Sequence, residues 1–167
     1  MAEKKWLVFY TKSRWERKVE KYLRQFGFEP YLPLHKVLRQ WSDRKKKLET
    51  PLFNSYIFVY DYEHRIPEML KVPGISWNIR HNGKPAVLRG SELEMIKRFI
   101  SSGLFLETTS VADLEPGDRV KVIDGPLRGA IGYFSGPYSQ EKFYVVLATI
   151  DQALRVSIDK KLLEKVK

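Results

Sequence analysis

Hydrophobic and polar positions repeat with two different periods along this chain, and the changes of period mark its elements. Positions 6–10 read WLVFY, an unbroken apolar run that predicts a buried strand. From Ser13 the period becomes helical. Trp15, Val19, Tyr22, Leu23 and Phe26 fall within a stripe of about 80–100° on a helix. Ser13 and Glu16 have the spacing of a capping box, and Gly27 supplies a left-handed stop. Arg14, Arg17, Lys18, Lys21 and Arg24 fall on the opposite side, so this helix is apolar beneath and basic above. FEPYLPLHKVLRQ, with two prolines, reads as irregular strand, and SDRKKKLETP as the charged tip of a hairpin. In LFNSYIFVYDY (52–62), Tyr56, Phe58, Tyr60 and Tyr62 share one face of a strand, with Ile57 and Val59 on the other. Pro67 suits the first turn of a short helix that ends by VPG at 72–74. Asn82-Gly83 predicts a two-residue turn between short strands. Ser91 and Glu94 have the spacing of a second capping box, ahead of an apolar stripe of Leu93, Ile96, Phe99 and Ile100 that Gly103 ends. The order β-α-β-β-β-α-β-α predicts an α+β domain with helices on a mostly antiparallel sheet.

The stretch LFLETTSVAD (104–113) has no clear period and reads as a linker. Beyond LEPGD the character changes. RVKVI, AIGYF, KFYVVL and LRVSI are short strand candidates separated by Gly, Pro and Asp, a pattern that predicts a small barrel of about five strands. The expected layout is therefore one domain over 1–103, a linker over 104–113 and a second domain over 114–167.

Charge changes this picture in one respect. The 167 residues carry a net charge of +10, which points to an acidic partner, nucleic acid first and an anionic membrane second. The excess is local: residues 1–50 hold 14 Lys and Arg against 6 Asp and Glu, whereas 113–167 hold 9 against 8. A binding face on the first helix accounts for that asymmetry better than general solubility does. There is no cysteine, which removes disulfides and thiolate metal sites. The WLVFY run is too short for a signal-peptide core or a membrane span, so a cytoplasmic protein is expected.

Catalytic patterns are missing. His35, His64 and His81 have no ligand spacing, and no H-E-x-x-H or G-x-S-x-G occurs; the expectation is a protein that is not an enzyme, with no cofactor and no metal. The glycines of VIDGPLRGAIG (122–132) suggest a phosphate loop. A P-loop needs a Gly-Lys-Ser/Thr step and a following helix. Here Gly125 is followed by Pro-Leu-Arg-Gly-Ala and then by strand-like AIGYF. The segment reads better as a strand–turn–strand corner in which Gly125 and Gly129 take positive φ or tight bends.

These residues together resemble the NusG family of transcription elongation factors over nearly the whole chain. The first match is KWLVFYTKSRWERKVEKYL, continuing through PLFNSYIFVY and VPGI; the second is LEPGDRVKVIDGPLRGAIGYF, similar to a KOW motif carried by Asp124, Gly125, Pro126, Arg128 and Gly129. The resemblance implies an N-terminal NGN domain that grips the tip of the β′ clamp coiled coil of RNA polymerase, and a C-terminal SH3-like KOW barrel. It implies polymerase contacts at Phe53 and Tyr56, with Tyr10 and Phe58 added from specialised members. All four also read as plain core, and that alternative stays open. Asn54-Ser55 stands where the family has Pro-Gly, which is similar to specialised paralogues such as RfaH; YLPLHKVLRQWSDRKK resembles UpxY-type antiterminators of capsule operons.

In that setting Lys12, Arg14, Arg17, Lys18, Lys21 and Arg24 are expected to meet upstream DNA or the displaced non-template strand, without sequence preference. Lys45, Lys46 and Lys47 remain open between a solvated loop and a second contact. HRIPEML occupies the place of the family's gate-loop motif, so the β gate loop is a second candidate contact. The KOW domain is expected to recruit ribosomal protein S10 or Rho, with Arg128 as the side chain to watch, and its β-branched residues and glycines argue against a switch to helix. The expected protein is a monomer, without membrane partners, that suppresses pausing and termination for one operon, such as one for polysaccharide synthesis. The rivals are the housekeeping NusG factor and a ribosome-associated KOW protein that binds RNA.

Overall fold

The computed structural model describes residues 2–40, 45–135 and 142–166, apart from the side chains of 39, 40 and 45–47. The chain divides into two units, Met1–Leu34 with Phe53–Leu93, and His35–Leu52 with Glu94–Lys167. The chain order begins β1 (Lys5–Thr11), α1 (Glu16–Gln25), β2 (Pro30–Tyr31), β3 (Leu34–Gln40) and β4 (Lys45–Pro51). It continues with β5 (Tyr56–Asp61), α2 (Ile66–Met69), β6 (Ile75–Asn78), β7 (Arg80–His81), β8 (Lys84–Pro85), β9 (Val87–Leu88) and α3 (Gly90–Ser101).

In the first unit the strands run β2-β5-β1-β6, with β9 also paired to β1, all antiparallel. The alternation expected within 52–62 is realised over 56–60, whereas Tyr62 lies beyond the strand. Ile57 and Val59 of β5 join Leu7 and Phe9 of β1 and Val19 and Leu23 of α1 in one core, each 0% exposed. Burying each such side chain contributes about 1.5–3 kcal/mol. Tyr56, Phe58 and Tyr60 lie on the opposite face by the period of two. Pro67 stands in the first turn of α2. Asn82 and Gly83, at φ 53° and 77°, turn β7 into β8.

Two expectations fail at the helix starts. Trp15 is the N-cap of α1, with no side-chain cap; Ser13 is exposed, and the Glu16 carboxylate is engaged elsewhere, as described below. Ahead of α3 the glutamate half of such a box is two residues early: the Arg89 backbone N–H donates to Glu92 Oε1 at 2.9 Å, and Ser91 and Glu94 are exposed. Phe26, expected on the apolar stripe, is 58% exposed because it is already the C-cap of α1. Gly27 makes the expected left-handed stop at φ 85°.

In the second unit β3 pairs with β4; the loop tip at 41–44 and the side chains of Lys45, Lys46 and Lys47 lie outside the described residues. The rest is a six-stranded sheet of β10 (Glu107–Ser110), β11 (Asp118–Val122), β12 (Ile131–Ser135), β13 (Lys142–Leu147), β14 (Gln152–Val156) and β15 (Leu163–Lys165). It runs β10-β14-β13-β12-β11-β15 and is antiparallel throughout. The four strands read from the sequence, β11 to β14, are all in this sheet, and among the described residues no pairing joins its end strands β10 and β15. The stretch read as linker supplies β10, an edge strand on β14. One sheet face holds Val120, Val122, Phe143, Val145, Leu154 and Val156, all buried, and Phe99 of α3 stacks on Phe143 at 6.3 Å. Gly132 admits that packing: a Cβ there would lie 2.3 Å from the Tyr144 carbonyl oxygen and 2.9 Å from the Phe143 ring.

Candidate functional site

The first unit carries an aromatic cluster on the sheet face away from α1. Tyr10 of β1 stands opposite Tyr56 of β5 and Trp77 of β6 in register. Its ring meets Tyr56 edge-on at 5.5 Å and lies parallel to Trp77 at 4.6 Å. The register shifts between Tyr10 and Thr11, whose partners are Trp77 and Ile75, so Ser76 is an extra residue in β6. A bulge of this kind re-aims neighbouring side chains. Trp77 is left 54% exposed, a large aromatic surface of the kind that anchors partners.

Of the four residues expected at a polymerase contact, the structure brings Tyr10 and Tyr56 together, both half-buried. Phe53 and Phe58 are 2% and 0% exposed, and Phe58 stacks on Tyr31 at 6.5 Å. In this conformation those two rings are core. Trp77 was not singled out in the sequence. No period in ISWN announces its exposure.

The loop before β5 is tied down from two sides. Ser55 accepts a hydrogen bond from the Thr11 N–H at 2.8 Å, and its own N–H donates to the buried Glu16 Oε2 at 2.9 Å. Its φ is 68°, a left-handed conformation that glycine adopts freely and serine does not.

The basic residues run from the turn after β1 to the last turn of α1. Lys12, Arg14, Arg17, Lys18, Lys21 and Arg24 are all exposed. Arg14 precedes the helix, in a turn at φ 66°. The ammonium groups of Lys12 and Lys18 lie 5.4 and 4.7 Å from the Trp15 ring centroid, and Arg24 pairs with Glu20 at 3.5 Å. The Lys12 N–H donates to the Gly74 carbonyl at 2.8 Å, which fixes the turn to the VPG segment. At Gly74, φ 95°, a Cβ would come within 2.6 Å of Val19 Cγ2 and 2.8 Å of Trp15 Cε3; only glycine allows α1 so close.

A cleft of about 610 Å³ lies elsewhere on this unit, lined by Glu3, Lys5, Glu63, His64, Arg80 and Pro85 among others. Lys5 pairs with Glu63 at 3.1 Å, and His64, which opens the HRIPEML stretch, stacks on Tyr62 at 5.3 Å. Among the described residues no group of three or more His, Cys, Asp or Glu is placed to hold a metal, and no helix is long and apolar enough to cross a membrane.

In the second unit, residues 122–132 form the strand–turn–strand corner read from the sequence. Gly125 and Gly129 have φ 89° and 90°. Asp124 Oδ1 accepts from the Gly125 N–H at 2.8 Å, and the Gly129 N–H closes the turn onto the Val122 carbonyl at 2.8 Å. Leu127 plugs the turn at 1% exposure, whereas Pro126 and Arg128 are exposed. The Arg128 carbonyl accepts from Arg98 Nη2 at 2.7 Å.

Comparison with known proteins places this architecture. The sequence model of the NusG family, described as transcription termination factor nusG, matches residues 4–97. A protein of Borreliella burgdorferi described as transcription termination/antitermination protein NusG is 23% identical over 182 residues, spanning 96% of this chain and 98% of that one. A solved structure titled "Domain interaction in Thermotoga maritima NusG" shares the fold, with TM-score 0.60 and 23% identity over 99% of this chain and 98% of that one. The family match covers more than half the residues, and the chain belongs to the NusG family of transcription termination and antitermination factors.

Proposed function

We propose that this protein acts by binding rather than by catalysis, holding RNA polymerase in its elongating state through the Tyr10–Tyr56–Trp77 face. The observation that carries the reading is the Tyr10–Trp77 stack with its 54%-exposed indole. Rigid aromatic surface of this kind takes up the apolar side chains of a helix tip at little entropic cost, and the clamp coiled coil of the β′ subunit offers such a tip. Phe53 and Phe58 are buried in the same segment as Tyr56 and belong to its packing. The basic turn and outer face of α1, from Lys12 to Arg24, meet the phosphates of upstream or non-template DNA. A factor that prefers the closed clamp stabilises it by its differential affinity, which shortens pauses and carries polymerase through terminators.

The exposed corner around Pro126 and Arg128 is the proposed docking point for ribosomal protein S10 or Rho, and the stretch beginning at His64 for the β gate loop. We place the factor with the specialised members that serve one operon, such as one for polysaccharide synthesis. The test is transcription in vitro across a pause site: Tyr56→Ala combined with Trp77→Ala abolishes pause suppression, and full suppression by the folded double variant refutes the site. Chromatin precipitation separates the operon-specific role from the general one, by occupancy at one locus or at all transcribed genes.

A further inference from the structure

We infer that Glu16 is a positioning residue for the aromatic face, acting through Ser55; the functional half of this inference rests on the proposed function above. Glu16 is 5% exposed although it opens a surface helix. Its Oε2 receives the Ser55 N–H at 2.9 Å, across 39 positions of sequence. Ser55 is itself 8% exposed and holds φ 68°. An unassisted serine pays about 1–2 kcal/mol for that conformation, so something must hold it. Two bonds do: Glu16 accepts from the N–H of Ser55, and the Thr11 N–H donates to the Ser55 carbonyl at 2.8 Å. A return of Ser55 to ordinary φ breaks both and turns the following residue.

That following residue is Tyr56, whose ring meets Tyr10 edge-on. Tyr10 in turn backs Trp77. The carboxylate of α1 therefore sets the ring geometry of the face, and it does so from the helix that carries Lys18 and Lys21. The link from Glu16 to the rings runs through the Ser55 backbone N–H. Its effect passes through one backbone conformation, and a variant that keeps an acceptor at this place keeps the effect.

The experiment compares Glu16→Gln and Glu16→Ala in the full chain. It reads the nuclear Overhauser contact between the Tyr10 and Tyr56 rings and the affinity for the cognate RNA polymerase. Glu16→Gln retains an oxygen acceptor and keeps both, with affinity within about twofold. Glu16→Ala loses the ring contact and about tenfold in affinity, the lower end of what a hydrogen bond to a charged group is worth. Without that acceptor Ser55 bears its left-handed strain with one tie fewer, so the chain carrying Glu16→Ala alone can fail to fold. The Glu16→Ala, Ser55→Gly pair then carries the test, because glycine holds positive φ unaided; it regains the ring contact. An unchanged ring contact in folded Glu16→Ala overturns the inference, as does a folded pair without the contact. A lost contact with unchanged polymerase affinity supports the positioning role and overturns instead the reading of the face as the polymerase site.

Discussion

The ring of Tyr10 lies against the indole of Trp77, centroids 4.6 Å apart and planes 11° from parallel. Each supports the other, and the Trp77 side of the stack faces solvent. Offset aromatic pairs contribute about 0.5–1.5 kcal/mol beyond the area they bury. A double-mutant cycle of Tyr10→Ala and Trp77→Ala, followed by chemical denaturation, is expected to give a coupling energy in that range. A coupling indistinguishable from zero means that the stack is incidental.

Gly74 sets how closely α1 approaches the sheet. Gly74→Ala adds a methyl 2.6 Å from Val19 Cγ2 and asks alanine for φ 95°. Overpacking and left-handed strain together cost about 2–4 kcal/mol. The expected result is a lower denaturation midpoint of the first unit, with loss of near-ultraviolet signal from Trp15. Gly27→Ala, where no atom lies within 4 Å of the added Cβ, pays only the strain and falls less.

The basic turn and helix predict a salt signature. Each phosphate contact contributes about 0.9 to the slope of log affinity against log salt on duplex DNA. Lys18→Glu with Lys21→Glu is expected to flatten that slope by about 2 while polymerase binding persists. An unchanged slope removes α1 from the nucleic-acid contact.

The parts legible in the sequence are those set by local chemistry. The two faces of 56–60, the Asn82-Gly83 turn, the Gly27 stop and the left-handed glycines at 125 and 129 follow from period and φ alone. The parts that were not legible depend on partners distant in sequence. Ser13 and Glu16 have capping-box spacing, yet the Glu16 carboxylate goes to Ser55. ETTS shows no apolar alternation, because β10 pairs along one edge and its sequence pattern carries no buried face. Phe53 and Phe58 have the residue type of a contact, and the fold buries them. Trp77 faces away from α1 by its register with Tyr10, and its 54% exposure is set by the tertiary structure rather than by any period in ISWN.

His35 gives the second unit a pH dependence. Among the described residues its buried Nδ1 has no hydrogen-bond partner, and burial lowers its pKa from the ordinary 6.5. The unfolded chain therefore takes up the proton first. Stability from this group is complete above about pH 6.5 and is lost as the pH falls through that value towards the lowered one. His35→Asn is expected to flatten the fall in melting temperature between pH 7 and 5.5. An equally steep fall in the variant assigns the effect to other groups.

The central claim is that the Tyr10–Tyr56–Trp77 face holds RNA polymerase. The most direct test is the equilibrium affinity of the full chain for the cognate polymerase, measured for the native protein and for Trp77→Ala. Truncating an exposed aromatic anchor at the centre of an interface costs 2 kcal/mol or more, about thirtyfold. A loss of that size, with the melting temperature within a few degrees of native, is the predicted result. Native affinity in a folded Trp77→Ala protein contradicts the claim.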